Sequence, residues 1–306
     1  MIKTGITKLN QLSNDKTFCR KELKNVSITL YDQTLHLVDG DQLAERILLL
    51  FSDERGAYKR TYQKRFEAFD LAVIKMLKKL PPPQTFHDCG VSDGRTGLDF
   101  FEKMVSAFPE IQYFASDYNP SVFVLEKGKL KVTLSHTGKI LEILFPPFVF
   151  NKIKRDSFRH YPLNHLILFF IEKFWVNSLI KKYQQGLVKA KEQLLFAPKV
   201  LQKAQTDKRF QLGQHDLLQP FKEPDCIIRA MNVLNPSYFS ETEFAQVIRN
   251  LYEGLRENGL LIAGSNQEAG TIVNGGIYQK KGNGFSKVFN SGEGAPIESL
   301  LLNFKI

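Results

Sequence analysis

The sequence predicts an α/β fold built on a doubly wound, mostly parallel sheet with an antiparallel hairpin at its edge. From residue 84 onward, short apolar strands alternate with amphipathic helices, which is typical of parallel sheets. Near the C-terminus, Gly276–Lys281 and Phe285–Phe289 flank the turn Gly282-Asn-Gly284, which indicates a hairpin. With 306 residues and 43% hydrophobic side chains, the chain is long enough for a full core. A disordered or fibrous protein is excluded.

Residues 1–83 are predicted as an N-terminal segment of strands and helices. The predicted strands are Val26–Tyr31 and Thr34–Val38, and two helices follow, from Asp41 and from about Tyr58 to Leu80. Apolar residues recur at three- and four-residue spacing in both helices. Because three consecutive prolines, Pro81–Pro83, end the second helix, the boundary of the next domain is placed at residue 84.

Residues 84–306 are predicted to form the sheet domain. The predicted strands are Thr85–Cys89, Ile111–Ser116, Arg209–Gly213, Asp225–Arg229 and Leu260–Ala263, and the predicted helices are Gly94–Phe108 and Glu241–Arg256. The pair Asn258-Gly259 is a C-cap signal that should close the second of these helices.

Residues 121–205 interrupt the alternation and are interpreted as a basic α+β insertion. They contain β-like segments at Leu130–Leu134 and Ile140–Leu144, and a helical region from Pro162 to about Ala204. The insertion carries 15 Lys+Arg against 5 Asp+Glu, while the rest of the chain carries 27 of each. Such a surface attracts an anionic substrate, nucleic acid, a membrane surface or an acidic protein, although a solvated lysine-rich face is the simpler alternative.

The stretch Leu166–Ile180 within the insertion is strongly apolar and has basic flanks. A transmembrane helix is disfavoured because Glu172 and Lys173 lie at its middle. Two alternatives stay open: a helix packed over the active site, and an interfacial helix that contacts anionic lipid. In either case an insertion that leaves the sheet after residue 120 is placed to cover a substrate.

Cysteine and histidine spacing argues against a disulfide scaffold and against a metal site. Cys19, Cys89 and Cys226 form no C-x-x-C motif, and the six histidines are scattered. The first ten residues are polar, so no signal peptide is expected. These observations predict a cytoplasmic protein in a reducing compartment.

The segment Phe86–Thr96 contains the pattern that points to chemistry. Asp88 ends the predicted strand, and Gly90 and Gly94 follow it before a helix opens. Glycines allow a tight turn and close ligand approach, and the helix N-terminus offers unpaired N–H groups. Asp117 ends the next strand, 27 residues beyond Gly90. A doubly wound fold places there an acid that accepts hydrogen bonds from ribose hydroxyls.

The loop favours a nucleoside without a pyrophosphate. It lacks the G-x-G-x-x-G pattern of dinucleotide enzymes, and the carboxylate of Asp88 would crowd a pyrophosphate. S-adenosylmethionine carries a sulfonium, an ammonium and a carboxylate but no phosphate, and it is therefore the predicted cofactor. Asp216 follows another predicted strand, where it could accept a bond from the adenine amine.

These residues resemble those of the class I S-adenosylmethionine-dependent methyltransferases, in particular the chemotaxis-receptor type of catalytic domain. The loop from Gly90 to Gly94, Gly-Val-Ser-Asp-Gly, matches the G-C-S-T-G loop of that group. Asn232-Val-Leu, followed by Tyr238-Phe239, matches its R-N-V-L-I-Y-F segment, with Met231 in place of the arginine. The resemblance covers about residues 84–120 and 208–290, and it implies a seven-stranded sheet, a Rossmann-like methyltransferase fold and the cofactor.

The resemblance also implies which residues contact the cofactor. The implied contacts are Asp88, Gly90, Ser92 and Gly94 at the methionine end, Asp117 at the ribose, Asp216 at adenine, and Asn232 and Val233 beneath the nucleoside. A carboxylate acceptor needs no general base, whereas a hydroxyl, amine or carbon acceptor does. Candidate bases near the predicted pocket are Tyr118, His87, His215 and Tyr238, and each of them could instead be a structural residue.

The predicted function is methyl transfer to an unidentified acceptor: a small molecule, a lipid or a protein side chain. One alternative is a regulatory module that binds S-adenosylmethionine without turnover. Another is a nucleic-acid methyltransferase that reads the backbone through the basic insertion. Against the last, Asn235-Pro-Ser-Tyr238 only partly matches the N/D-P-P-Y/F tetrapeptide of amino-methylating enzymes.

Overall fold

A computed structural model describes residues 1–13, 24–56, 59, 64–235, 238–266 and 272–306. The chain divides into two compact units, and each has its own sheet. The first unit combines residues 1–60 with 121–198, and the second combines 61–120 with 199–306. The sequence predicted a different division, with residues 1–83 as an N-terminal segment and residues 121–205 as an insertion in a domain of residues 84–306.

In the described residues, twelve strands and ten α-helices follow one another along the chain. The helices are α1 (Leu9–Ser13), α2 (Tyr31–Thr34), α3 (Gly40–Leu50), α4 (Glu67–Leu77), α5 (Arg95–Ala107), α6 (Pro162–Ile171), α7 (Asn177–Gln184), α8 (Pro198–Thr206), α9 (Glu241–Glu253) and α10 (Glu298–Asn303). The strands are β1 (Thr85–Cys89), β2 (Gln112–Asp117), β3 (Ser121–Lys127), β4 (Leu130–Leu134), β5 (Ile140–Phe145), β6 (Phe148–Asn151), β7 (Lys191–Leu194), β8 (Phe210–Gln214), β9 (Asp225–Met231), β10 (Leu255–Asn266), β11 (Val273–Lys281) and β12 (Gly284–Ser291).

The large sheet of the second unit has the strand order β12-β11-β10-β9-β1-β2-β8 among the described residues. Strands β8, β2, β1, β9 and β10 run parallel, and the hairpin β11–β12 is antiparallel. The predicted mostly parallel seven-stranded sheet with its edge hairpin is confirmed. Chain order reverses between β1 and β9, so the crevice beyond their carboxyl ends is a topological switch point, where α/β sheets bind ligands.

Helices cover both faces of the large sheet because successive strand residues point to opposite sides. On one face, Phe100 and Phe101 of α5 pack against the rings of Phe86, Tyr113 and Phe210. On the other face, the apolar stripe of α9 joins Ile228 and Leu261 in a buried cluster. A capping box between Ser240 and Glu243 begins α9 and supplies partners for its first N–H groups.

A buried ion cluster lies between the first of these faces and α4. Arg229 on β9 is 1% exposed, and its guanidinium donates to Asp88 on β1 (2.8 Å) and to Asp70 on α4 (3.1 Å). The Tyr113 hydroxyl on β2 also donates to Asp88 (2.6 Å). Burial raises the pKa of Asp70 to about 6, although the charge of Arg229 opposes that shift. The cluster joins three neighbouring strands to α4.

The small sheet of the first unit is antiparallel, with the order β6-β5-β4-β3-β7. Glu142 on β5 points into the core of this unit, where its carboxylate accepts bonds from the Ser27 hydroxyl (2.7 Å) and the Ile28 N–H (3.1 Å). No cation accompanies it in these bonds, and burial raises its pKa to about 7. Burial therefore favours the neutral form of this acid.

Three secondary-structure predictions in the first unit and at its edges are wrong or displaced. The predicted strands Val26–Tyr31 and Thr34–Val38 are instead a 3₁₀ turn at Ile28–Leu30, capped by Ser27, followed by α2. The helical region predicted to reach Ala204 is interrupted by β7, because Lys191–Leu194 pairs with β3.

Helix α9 ends at Glu253, before the predicted Asn258-Gly259 stop. Gly254 closes it, and the space beside Gly254 is filled by the Phe221 ring, so Leu255 can already pair with Asp225 in the sheet. Helix α4 lies within the helix that was predicted from about Tyr58 to Leu80. The predicted start at about Tyr58 lies outside the described residues.

Replacing Arg229 by Met should destabilise the second unit strongly. The substitution keeps most of the side-chain volume but leaves Asp70 and Asp88 buried without their cation, a change that costs about 3 to 5 kcal/mol in buried ion pairs. Thermal and denaturant unfolding would measure the loss. Arg249→Met, on the exposed side of α9, is the control and should change stability by less than about 0.5 kcal/mol. Similar losses in both variants would show that the ion cluster contributes nothing specific.

Replacing Glu142 by Gln should remove a pH dependence from the stability of the first unit. Because the folded pKa is raised, the native state holds a proton that the unfolded state releases, so wild-type stability falls as pH rises from about 4.5 to about 7. At about pH 8 the variant should be the more stable protein, by up to about 3 kcal/mol. At about pH 5 the two should be similar. Glu126→Gln, on the exposed surface of β3, should leave the pH profile unchanged.

Candidate functional site

The loop that follows β1 is a tight turn held against the end of β2. Gly90, Ser92 and Gly94 all adopt left-handed backbone conformations, with φ of +71°, +60° and +83°. The N–H groups of Gly90 and Val91 both donate to the carbonyl of Ser116 (2.8 and 3.1 Å). Glycine adopts positive φ without strain, which explains two of the three residue choices in this loop.

Gly90 lies against the segment that follows β9. A Cβ placed on Gly90 would come within 2.9 Å of the Val233 side chain. The end of β1 and the end of β9 therefore touch at the switch point of the sheet. These are the two segments that carry the resemblance described above, and the fold brings them into direct contact although 143 residues separate Gly90 from Val233.

Asp117, at the end of β2, holds the same loop from the other side. One carboxylate oxygen accepts the N–H of Ser92 (2.7 Å), and the other accepts the N–H of Asn119 (2.9 Å). A carboxylate accepts about four hydrogen bonds, so these two orient the group and are compatible with additional hydroxyl donors. Asp117 is half-buried at the carboxyl edge of the sheet.

Asn232 joins the ends of β9 and β10 through a second asparagine. It has a φ of +59°, its N–H donates to Gly264, and its amide exchanges two bonds with Asn266 (3.0 and 2.9 Å). The Arg65 guanidinium donates to the same Asn266 oxygen (2.9 Å). Sequence reasoning missed Asn266 and Arg65. Asn266 is the last residue of β10, and Asn232 comes directly after β9; that parallel was the available signal.

The N-terminus of α5 carries an acid that sequence reasoning also missed. Asp93 is 1% exposed, accepts the N–H of Arg95 (3.2 Å) and forms an ion pair with the Arg95 side chain. In a dinucleotide site this helix end would face a pyrophosphate. Here the Asp93 carboxylate already accepts a hydrogen bond from this helix end, and its charge is compensated by the Arg95 guanidinium.

Asp88 lies apart from the residues gathered at the crevice. It is 1% exposed and its carboxylate bonds Arg229 and Tyr113 on the face covered by α4 and α5. Asp216, in contrast, lies near Asp117, because the N–H of the preceding residue, His215, donates to the Asp117 carbonyl (3.1 Å). Its carboxylate accepts the N–H of Leu218 (3.1 Å).

The two histidine candidates belong to one packed cluster, in which His87 is buried and His215 is half-buried. His87 bonds the Ser116 hydroxyl (2.8 Å) and approaches the Asp225 carboxylate (3.4 Å), while its ring packs against His215 at 5.2 Å. The order Asp–His–Ser is that of a nucleophilic relay, but Ser116 is 0% exposed and meets no substrate. Burial, and then the neighbouring His87, lower the pKa of His215 to about 4, so its ring is neutral near neutral pH.

The two tyrosine candidates keep more access to solvent. Tyr118 is half-buried directly after Asp117, and its carbonyl accepts a bond from Gln214 (3.0 Å). Tyr238 is 46% exposed beyond β9. Among the described residues, no group of three or more His, Cys, Asp or Glu is arranged to hold a metal ion.

No protein-family model and no curated protein sequence matches the chain. Solved structures with partial similarity include the N-methyltransferase NodS from Bradyrhizobium japonicum with S-adenosylhomocysteine, at 13% identity over 79% of this chain and 74% of that one, with a TM-score of 0.33. A sugar N-methyltransferase from Streptoalloteichus shares 10% identity over 69% of this chain, with a TM-score of 0.33. The mitomycin 7-O-methyltransferase shares 11% over 78%, with a TM-score of 0.34.

This chain covers only 52% and 44% of the latter two structures. All three TM-scores are below 0.5.

Gly90→Ala should destabilise the second unit more than the same change at Gly282. Both glycines have positive φ, but only at Gly90 would the added Cβ collide with a neighbour, whereas Gly282 has open space around it. Backbone strain should cost about 1 kcal/mol at each site, and the collision with Val233 should add about 1 to 3 kcal/mol at Gly90. Denaturant unfolding of the two variants measures the difference. Equal losses would mean that the contact between Gly90 and Val233 is loose.

Proposed function

We propose that the chain is a class I S-adenosylmethionine-dependent methyltransferase with a Rossmann-like fold. One observation carries the proposal. At the switch point, the left-handed Gly90–Gly94 loop lies between Val233 on one side and the Asp117 carboxylate on the other. This arrangement places three features around one crevice. They are a glycine turn that a ligand can approach closely, a carboxylate that accepts hydrogen bonds from hydroxyl groups, and an apolar contact.

The residues at the crevice fit a nucleoside better than a dinucleotide. Asp117 supplies the acceptor that ribose hydroxyls require, and Asp216 lies beside it for the adenine amine. The Asp93 carboxylate already accepts a backbone N–H at the α5 N-terminus, which leaves that helix end less available to a pyrophosphate. S-adenosylmethionine has no phosphate group and does not need this helix end to bind one.

Within this proposal, we also change the cofactor contacts that were predicted from the sequence. Gly90, Ser92, Asp117, Asn232 and Val233 are connected through direct contacts or backbone bonds at the crevice. Asp88 instead serves the ion cluster with Arg229. We therefore assign the acidic contact to Asp117 and give Asp88 the role of holding the strand that presents the loop.

S-adenosylmethionine, when bound, would supply a methyl group carried by a sulfonium. In-line transfer of that methyl group to the acceptor would leave the rest of the cofactor as a neutral thioether. The protein then has to align the acceptor and exclude water. A carboxylate acceptor requires no base, and for other acceptors Tyr118 and Tyr238 are the better candidates, since His87 and His215 belong to the packed cluster. The proposed acceptor classes are a small molecule, a lipid and a protein side chain.

Within class I, we propose that the catalytic domain is most similar to the chemotaxis-receptor type. Support comes from the Gly90–Gly94 loop and the Asn232-Val-Leu segment. The two segments are in contact through Gly90 and Val233, and the sequence resemblance alone did not require that contact. Met231, where that group has arginine, is a buried residue that ends β9.

Asp117→Asn should weaken S-adenosylmethionine binding by about 10- to 100-fold, because an amide retains one acceptor oxygen and loses the charge that strengthens bonds to hydroxyls. Titration calorimetry measures the affinity. Asp225→Asn is the matched control: Asp225 begins β9 at the opposite edge of the sheet and should leave affinity unchanged. If the Asp117→Asn variant bound S-adenosylmethionine with wild-type affinity, Asp117 would not be a cofactor contact.

Turnover separates the enzyme from a binding module. Wild-type protein, incubated with methyl-labelled S-adenosylmethionine and fractionated cell extract, should release S-adenosylhomocysteine and label one acceptor fraction. Tight binding with no release in any fraction would favour the regulatory module. Label in nucleic acid, with an affinity that falls steeply with salt, would favour the nucleic-acid alternative.

A further inference from the structure

A large apolar surface on the first unit has no role in the proposed methyl transfer. The helix that runs from Pro162 to Gln184 consists of α6, a π-helical turn at Glu172–Val176 and α7. One side of it, the apolar face, consists of Leu163, Leu166, Phe169, Phe170, Phe174 and Trp175, which are between 41% and 57% exposed. Such contiguous exposed apolar patches mark interaction sites.

The opposite side of this helix packs on the small sheet. Leu168, Ile171, Val176 and Leu179 are buried in a cluster with apolar residues of β3, β4, β5 and β6. The helix is long and apolar enough to cross a membrane by length and composition, yet only 28% of its most apolar window is buried. It is therefore unlike the core helix of a soluble protein, and half of its apolar surface faces outward.

The charge around the apolar face is basic. Between residues 154 and 189 there are seven Lys or Arg and two acids. The basic residues are Lys154, Arg155, Arg159, Lys173, Lys181, Lys182 and Lys189. Both acids are already paired, Asp156 with Lys3 and Glu172 with Lys152. Basic residues thus outnumber acids by seven to two in this segment, which favours an anionic partner.

Aromatic side chains and a lysine lie together on the apolar face. The rings of Phe170 and Phe174 are stacked at 6.1 Å with an interplanar angle of 3°. The ammonium of Lys173 lies 5.8 Å from the rings of Phe169 and Phe174. Exposed Phe and Trp with Lys among them are the composition of helices that lie in the headgroup region of a bilayer.

We propose that the apolar face docks on the surface of an anionic phospholipid bilayer, with the helix lying in the plane of the membrane. The basic flanks supply charge complementarity to the lipid headgroups, and the Phe, Leu and Trp side chains enter the acyl boundary. The helix does not span the bilayer. Spanning would strip its buried stripe from the small sheet and would place Glu172 and Lys173 in hydrocarbon.

The chain contains a single tryptophan, Trp175, and it lies on the apolar face. Its fluorescence therefore reports docking directly. The full chain should float with vesicles of phosphatidylcholine that contain phosphatidylglycerol as about one third of the lipid. Trp175 emission should shift to shorter wavelength and be quenched by brominated acyl chains. Vesicles of phosphatidylcholine alone should bind at least about tenfold more weakly, and added salt should weaken binding to the anionic vesicles.

Two variants test the two halves of the proposal. Phe170→Ser combined with Phe174→Ser removes apolar contact and should weaken binding to anionic vesicles by at least about tenfold. Lys181→Gln combined with Lys182→Gln should weaken it by about tenfold and flatten its salt dependence. Leu71→Ser is the control, because Leu71 is 55% exposed on α4, and it should bind like wild type. Circular dichroism confirms that each variant is folded.

Three outcomes would overturn the proposal. The first is no flotation with anionic vesicles and an unchanged Trp175 emission. The second is equal binding to neutral and anionic vesicles, which would remove the role of charge. The third is a concentration-dependent dimer in sedimentation whose formation shifts the Trp175 emission and prevents vesicle binding, which would make a second copy of the chain the occupant.

Discussion

The second unit is organised around one buried cation. Arg229 reaches across the face of the large sheet to Asp88 and Asp70, and Asp88 also accepts the hydroxyl of Tyr113. Although burial opposes its charge, the two carboxylates raise the pKa of Arg229 above its ordinary value. Removing one member of such a cluster leaves the others as uncompensated buried charges, so β1, β2, β9 and α4 are constrained together.

That constraint bears directly on the candidate site. Strands β1 and β9 are the pair at which the order of the sheet reverses. The ion cluster links them through Asp88, one residue before the end of β1, and Arg229, two residues before the end of β9. The loop of Gly90 and the segment of Val233 then meet just beyond the cluster. An acid inside the sheet thus holds the strand that carries the turn, while a different acid, Asp117, bonds the turn itself from the end of β2.

The two units accommodate buried acids in different ways. In the second unit, Asp88 and Asp70 lie beside the guanidinium of Arg229, which can carry the compensating charge. In the first unit, Glu142 has only hydroxyl and amide donors in its bonds, and burial raises its pKa to about 7. Burial raises the pKa of Asp70 in the second unit as well, to about 6, despite the charge of Arg229. Each unit therefore holds an acid whose raised pKa lowers stability as pH rises toward neutrality.

The sequence by itself determined the alternation of strands and helices in residues 84–120 and 208–291, and the glycine loop after β1. These features depend on neighbouring residues, namely apolar periodicity, glycines where φ is positive, and an acid that ends a strand. The local pattern also predicted a strand at Val26–Tyr31, and this prediction was wrong. These residues contain a 3₁₀ turn whose N-terminal end is bonded to Glu142, more than 110 residues away.

Only the tertiary structure decided how the polar residues are used. Asp88 stands before the loop in the sequence, yet it pairs with Arg229, 141 residues away, because the two strands lie side by side. Asn266 and Arg65 joined the site through contacts that span 34 and 201 residues. Local spacing specifies which elements form, since hydrogen bonds within a helix or a turn are short in sequence. The partner of a buried charge is set by the packing of whole elements, which no short pattern encodes.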